Sequence, residues 1–269
     1  MLPPFRLARP RTLDEALDAI GDDRVPYCGG TELLLAMRAG LTRPEALVDL
    51  KSLPELQGIA VDGGHVVVGG TERHMDIAAH SVIRKHLPML ARVEHGVGNA
   101  RVRAQGSIAG NLCFAEPKSD VGPALMAFGA SVTLASPTGR REVTVEELIQ
   151  GPYFADKEPD ELLVDVRVPI PSTATRGAYL KYQITERPTV GVAVVHDPEA
   201  GTCRLVVGAV GEVPTVWTGT SPDEIDPDAI AEEVDPTPDL TGTERYKRHI
   251  TGVYVRRVLE QLADVKAGK

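Results

Sequence analysis

The chain has 269 residues, a formal net charge of −9, 42% apolar and 25% charged residues, which is the composition of an ordinary globular protein. At that length it makes one large domain or two to three smaller ones and needs no disulfide or metal staple to fold. The acidic balance and an aromatic content of only 4% argue against nucleic acid as a ligand, and no run approaches the roughly 18 apolar residues of a membrane span.

Three scattered cysteines, Cys28, Cys113 and Cys203, form no CxxC pair, so no disulfide framework, structural zinc or iron–sulfur cluster of the chain's own is expected. The N-terminal Met1 to Arg6 lacks the apolar stretch of a signal peptide, and a cytoplasmic protein is expected.

The first helix signal is Thr12-Leu13-Asp14-Glu15, where Thr12 can cap, Glu15 can close a capping box, and Leu13, Ala16, Leu17 and Ile20 make an apolar stripe. A short strand at Val25 to Cys28 leads through Gly29-Gly30-Thr31 into a helix from Glu32 that ends at Gly40. Leu47 to Leu50 reads as a strand, with Ser52 capping a short helix. A hairpin follows, Gly58 to Val61 and His65 to Val68 around Asp62-Gly63-Gly64. Helices are expected at Met75 to Lys85 and Met89 to Glu94, then a long small-residue segment from Gly96 to Asp120, and a helix at Ala124 to Gly129.

Ser131 to Ala135 and Arg141 to Val145 form a second hairpin, and the strand Leu162 to Val168 stops at Pro169-Ile170-Pro171, the start of a candidate linker through Thr175. Beyond it come strands at Ala178 to Ile184, Gly191 to His196 and Cys203 to Val210. The stretch Thr220 to Leu240, rich in acids and free of Lys and Arg, reads as a solvated loop. In the terminal helix Tyr246, Ile250, Val253, Val258, Leu262 and Val265 approximate one apolar face. Strands and helices mix without regular βαβ alternation, which predicts an α+β fold.

Two glycine-rich segments carry the chemistry. In strand, Gly29-Gly30-Thr31, helix, the glycines let the backbone turn tightly and come close to a ligand, with successive N–H groups pointing into one concavity, an arrangement suited to phosphate. The alternative is a plain strand-to-helix turn capped by Thr31. In Arg103 to Asn111, Gly106, Ala109 and Gly110 permit close approach, while Ser107 and Asn111 add short polar side chains. Two such segments point to a dinucleotide with a pyrophosphate. A Rossmann fingerprint is absent: Gly96-Val97-Gly98 follows a helical pattern and has Arg101 at the third glycine position. The histidines His74, His80 and His86 recur every six residues, which places them on no common helix face, and they read as surface or half-buried side chains; the alternative for His74, which follows Gly70-Thr71-Glu72-Arg73, is a loop that faces the ligand.

The run Val102-Arg103-Ala104-Gln105-Gly106-Ser107-Ile108-Ala109-Gly110-Asn111-Leu112, continuing Glu116-Pro117-Lys118-Ser119-Asp120, resembles the signature of the FAD-binding medium subunit of molybdenum hydroxylases, the family of carbon monoxide and xanthine dehydrogenases. Cys28-Gly29-Gly30-Thr31-Glu32 is similar to that family's first FAD loop, and Arg43 to Leu50 to its RPxxLVDL stretch. The resemblance implies a two-part α+β FAD-binding domain of the p-cresol methylhydroxylase/vanillyl-alcohol oxidase type over residues 1–174, with subdomains of about 1–56 and 57–174. It implies a C-terminal medium-subunit domain of a small antiparallel sheet and helices over 175–269.

It further implies an oxidoreductase subunit that holds FAD. Cys28, Gly29, Gly30, Thr31 and Glu32 would cradle the pyrophosphate together with Ser107, Ile108, Ala109, Gly110 and Asn111. Asp120 would take the adenosine part, with a helix N-terminal acid as its alternative. Leu163 would contact the isoalloxazine and Lys181 would lie by the flavin ring, with a solvated strand lysine as the alternative for the latter. The first loop has no His, the residue that carries covalent flavin in related oxidases, so the FAD is expected to be noncovalent.

By the same resemblance, molybdopterin resides in a large partner subunit and two [2Fe–2S] clusters in a small one, in a dimer of heterotrimers. Electrons pass from the clusters to FAD and on to an external acceptor. A freestanding FAD-dependent reductase or oxidase on the same fold, and a non-catalytic nucleotide-binding assembly module, are the two other readings.

Overall fold

The computed structural model describes residues 2–265. Thr12 caps the helix Leu13–Ala19 by accepting the Glu15 N–H, and the Glu15 carboxylate reaches back to the Arg11 N–H at 2.7 Å, one residue short of a regular capping box. That helix and Leu33–Ala39 connect three parallel strands, Arg6–Ala8, Arg24–Tyr27 and Ala46–Asp49, with the last in the centre of the sheet. The opening of the chain is thus a regular βαβαβ unit, contrary to the expectation of no such alternation. Its strands are only three or four residues long and leave no periodicity to read. The short turn Pro54–Leu56 that follows is a 3-10 helix preceded by Leu53 and has no side-chain cap, so Ser52 does not play the expected part.

Five antiparallel strands form the second sheet, in the order Ile59–Asp62, His65–Gly69, Leu162–Pro169, Ser131–Ser136, Gly139–Thr144. Gly63 and Gly64, both at positive φ, make the tight turn of its first hairpin. The expected helix from Met75 to Lys85 is two, His74–Ala79 and Ser81–His86, broken at an extended His80 whose ring accepts the Val82 N–H. The stretch from Gly96 to Asp120 is mostly helical: Asn99 caps Ala100–Gln105 and Ser107 caps Ile108–Phe114. Helices of six or seven residues carry too short an amphipathic stripe to be recognised in the sequence. With the fully buried helix Val121–Ala127 they cover the sheet and build the largest core cluster.

The third sheet is antiparallel, Arg176–Gln183, Pro188–Asp197, Thr202–Gly208 and Thr215–Gly219 in that order. The last strand, which holds Trp217, was not expected. Nine successive residues of Pro188–Asp197 are buried because both faces are covered. Val190, Val192 and Val194 pack toward the helix Glu244–Asp264, while Ala193 and Val195 join the core of the second sheet. The backbone at Gly208 lies so close to Pro123 that a side chain would collide with it.

Two expectations fail here for one reason, burial against this sheet. The acidic stretch is no solvated loop: Asp226 caps the helix Pro227–Glu233, and Ile225, Ile230 and Val234 are buried. In Glu244–Asp264 the buried face is Lys247, Thr251, Gly252, Val255, Val258 and Leu262, rotated from the predicted stripe. Lys247 can occupy that face because its ammonium donates to Thr237 O at 2.7 Å and to Asp239 Oδ2 at 2.9 Å. Asp239 also takes Lys118 Nζ at 2.7 Å, which ties the C-terminal region to the segment after Ile108–Phe114.

The Pro-rich segment around Ser172 is fastened and not a loose tether. Ser172 Oγ and N and Thr175 Oγ1 all donate to the Asp197 carboxylate, and the Ala200 N–H does so as well. Burial alone would raise the Asp197 carboxyl, but the hydrogen bonds from Thr175, Ala200 and Ser172 outweigh it and hold the group well below its ordinary 3.8. A carboxyl depressed in the folded state adds stability above its unfolded value and loses that contribution as pH falls below it. Asp197→Ala should therefore lower the melting temperature at pH 7, and the gap to the parent should shrink as melting is repeated below about pH 4. A gap independent of pH would contradict the assignment.

Candidate functional site

The strand Arg24–Tyr27 delivers the chain into the first glycine loop, and Leu33–Ala39 carries it away. Gly30 sits at φ +68°, and an added Cβ would strike the Tyr27 ring at 2.5 Å, so this position needs glycine on two counts. The helix has no side-chain cap, so Thr31 does not serve as one, and the Glu32 carboxylate turns away to Arg187. Among the described residues, the N–H groups of Gly30, Thr31 and Glu32 donate to no backbone carbonyl. Three successive donors without a backbone partner are what an anion-binding nest requires.

The second loop is built differently. Ser107 Oγ accepts the Gly110 N–H at 3.2 Å, Ile108 N donates to Glu72 O at 3.0 Å, and Ala109 N to Gly70 O at 3.1 Å. His74 N donates to Gly106 O at 3.1 Å. These amides are taken, so what the segment offers a ligand is surface: an added Cβ at Gly110 would meet only Ser107 Oγ. The two loops touch directly. A Cβ on Gly29 would lie 2.1 Å from Gln105 O and 2.8 Å from Gly106 Cα, and the Cys28 thiol lies against Ser107. Burial raises that thiol above its ordinary value, and the contact with Ser107 offsets this only in part.

Between the loops opens a cleft of about 490 Å³. All the residues predicted from the sequence line it except Ile108 and Lys181. Ile108 is fully buried in the core beneath, where it anchors the second loop. Leu163 reaches the wall from the central strand Leu162–Pro169, whose register slips beside it. The backbone of Gly70 passes so close to Leu163 O that a Cβ would sit 2.6 Å from it. Apolar walls come from Val25, Leu50, Leu56, Val97 and Val102. No group of His, Cys, Asp and Glu able to hold a metal ion occurs among the described residues, and no helix there is long and apolar enough to cross a membrane.

Asp120 is buried and precedes the helix Val121–Ala127 without capping it, so neither sequence reading describes its contacts in full. Its Oδ1 accepts the Tyr179 hydroxyl at 2.5 Å and its Oδ2 accepts Lys181 Nζ at 2.6 Å, while Lys181 also donates to Gly96 O at 3.0 Å. Burial, then the Asp120 charge, pushes the Tyr179 hydroxyl well above its ordinary value, so it remains a donor. Lys181 is therefore no free strand lysine.

One cleft residue was not anticipated, and another was weighed only as an alternative. Arg187, at the hairpin between Arg176–Gln183 and Pro188–Asp197, pairs with Glu32 of the first loop at 3.2 Å and with Glu116 beyond the second, and so links the two sides of the cleft lining. His74, expected at the surface or half-buried, is only 2% exposed, with Nδ1 2.6 Å from Glu94 Oε2. No local pattern could have revealed the partners of either, because these lie on different elements far apart in sequence.

Comparison with known proteins places the chain in a family. The family model described as "FAD binding domain in molybdopterin dehydrogenase" matches residues 3–171. The chain is 31% identical to the carbon monoxide dehydrogenase medium chain of Afipia carboxidovorans, over 96% of each. Its structure is similar to a chain of carbon monoxide dehydrogenase from Hydrogenophaga pseudoflava, with a TM-score of 0.91 and 28% identity over 98% of this chain and 99% of that one. It is also similar to a chain of quinoline 2-oxidoreductase from Pseudomonas putida 86, with a TM-score of 0.89 and 26% identity over 98% of both.

Proposed function

The chain belongs to the family of FAD-binding domains of molybdopterin dehydrogenases, and from that premise we propose that it is the flavin-holding medium subunit of a molybdenum hydroxylase. The observation that carries this reading is the pairing, across one cleft, of the unpaired N–H groups of Gly30, Thr31 and Glu32 with the open face of Gly110. FAD fits there on chemical grounds, because its pyrophosphate needs donors and its rings need apolar walls.

Within Cys28 to Glu32 the N–H groups of Gly30, Thr31 and Glu32 hold the pyrophosphate, and Ser107 to Asn111 admit it by their small size. Ile108 acts from below, as the anchor of that segment. Asp120 keeps two acceptor oxygens at the cleft for ribose hydroxyls, oriented by Tyr179 and Lys181. Leu163 faces the isoalloxazine. The flavin is noncovalent, and when bound it supplies the capacity to take up electrons singly or in pairs. Arg187 ties Glu32 of the first loop to Glu116 beyond the second along the cleft wall.

In this reading the fold is of the p-cresol methylhydroxylase/vanillyl-alcohol oxidase type, divided near residue 174 into an FAD domain and a C-terminal domain. Electrons arrive from the [2Fe–2S] clusters of a small subunit, which take them from molybdopterin in a large one, and leave to an external acceptor. The assembly is a dimer of heterotrimers in the cytoplasm.

Heat-released flavin from the purified protein should chromatograph as FAD, and FMN as the sole species would refute the assignment. The same preparation should accept electrons from an artificial reductant, yet turn over substrate only after the iron–sulfur and molybdenum subunits are added. Turnover by the chain alone would favour the freestanding enzyme.

A further inference from the structure

On the FAD reading the cleft receives a pyrophosphate, which carries two negative charges, yet most of the charges lining it are already spent. Three Lys or Arg side chains line it among the described residues. Arg187 is shared by the carboxylates of Glu32 and Glu116, and Lys118 is held on Asp239. The third is Lys157, between the short strand Phe154–Ala155 and Leu162–Pro169. Its ammonium donates to Glu158 O at 3.1 Å and to Glu161 O at 3.2 Å, and it pairs with no carboxylate among the described residues. The Glu161 carboxylate nearby is taken by Arg141, from Nε at 2.7 Å and a terminal nitrogen at 2.8 Å. Two carbonyl dipoles orient the lysine without cancelling its unit charge.

The helix Ile108–Phe114 relates this charge to the second glycine loop. Ala109 and Cys113 both line the cleft and, four residues apart, share one face of that helix. Burial pushes the Cys113 thiol up to about 11, and the Lys157 charge beside it opposes the rise. Lys157 thus stands by the second turn of the helix that the loop begins, about 5 Å further along its axis. A unit charge in a partly desolvated cleft acts over distances of that order.

We infer that Lys157 is a further dinucleotide-binding residue, whose ammonium supplies the positive charge that compensates the pyrophosphate. This rests on the FAD reading. The N–H groups of Gly30, Thr31 and Glu32 contribute partial charges only. Glu186 adds a carboxylate to the lining that pairs with no cation among the described residues. A dianion placed there without compensation would bear the cost of leaving water. An uncommitted ammonium already held in place by the backbone offsets that cost without breaking an existing ion pair.

The test separates a charge from a lysine that merely fastens its own loop. The full chain, stripped of flavin, is titrated with FAD and with riboflavin, which has no phosphate. Lys157→Gln removes the charge and keeps an amide donor for the two carbonyls. Its Kd for FAD should rise roughly 10-fold at about 0.01 M salt, and the gap to the parent should close toward about 1 M, where charges are screened. Its Kd for riboflavin should stay at the parent value, and Lys157→Arg should bind FAD within about threefold of the parent. Parental FAD affinity at low salt, an equal loss for both ligands, or a loss that persists at high salt would each overturn the inference.

The unaltered chain provides a second measurement that does not depend on Lys157→Gln folding. With lysines labelled with carbon-13 at Cε, the Lys157 signal, identified by its loss in Lys157→Arg, should move on adding inorganic pyrophosphate and stay in place with riboflavin. A signal indifferent to pyrophosphate would sink the inference with the FAD reading intact. A parent chain that binds no FAD would remove both.

Discussion

Gly110→Val should yield a folded protein that purifies without flavin. Gly110 lies in the helix Ile108–Phe114, at negative φ, and the only atom its new Cβ would meet is Ser107 Oγ at 2.9 Å. Glycine is a poor helix residue, so valine in its place changes intrinsic helix stability by less than about 1 kcal/mol, and the disturbed Ser107 cap costs a similar amount. The branched side chain instead fills the space where the proposed pyrophosphate would lie. Affinity for FAD should fall roughly 100-fold or more, since a dinucleotide has to give up its phosphate contacts to enter at all. The visible spectrum of the purified variant and its urea midpoint check the two halves separately. A yellow protein with a parental midpoint would mean that the cofactor lies elsewhere.

Gly29→Ala should do the reverse, with a single methyl group unsettling the fold. The new Cβ would stand 2.1 Å from Gln105 O and 2.7 Å from Gln105 C, atoms of a backbone pinned through Gly106 to His74 and through Ile108 to Glu72. Neither chain can step aside without breaking those bonds, so a loss of about 3 kcal/mol or more is expected, read as a lower urea midpoint at unchanged slope. Flavin would be lost as a consequence of the parting loops. Gly30→Val combines both defects, since φ +68° already disfavours a side chain, and cannot separate them. The two outcomes together distinguish a glycine that makes room for a ligand from one that makes room for its own chain.

Much of this site was legible before the structure. Gly30 bends a turn and Gly40 ends a helix at positive φ, both of them consequences of short-range backbone chemistry that neighbouring residues carry in their own identity. Hairpins around Gly63-Gly64 and Pro137-Thr138-Gly139 were equally plain. The motif resemblance then brought Cys28 to Glu32 and Ser107 to Asn111 to one ligand. What failed was of another kind. Lys247 broke the predicted stripe because Asp239 and a carbonyl receive its charge, and the acidic stretch folded because Ile225, Ile230 and Val234 find a sheet to cover.

Local pattern therefore accounts for the turns, most of the strands and the two glycine loops, because steric limits on φ and the reach of a capping side chain act within a few residues. Packing over long sequence distances decided the rest. It set Gly29 against Gln105, bound Asp120 to Tyr179 and Lys181, joined Arg187 to Glu32, and buried His74 on Glu94. Each of these depends on two segments meeting where water is excluded. The worth of a charge or a missing Cβ is then set by the partner it meets, and no spacing along the chain records that partner.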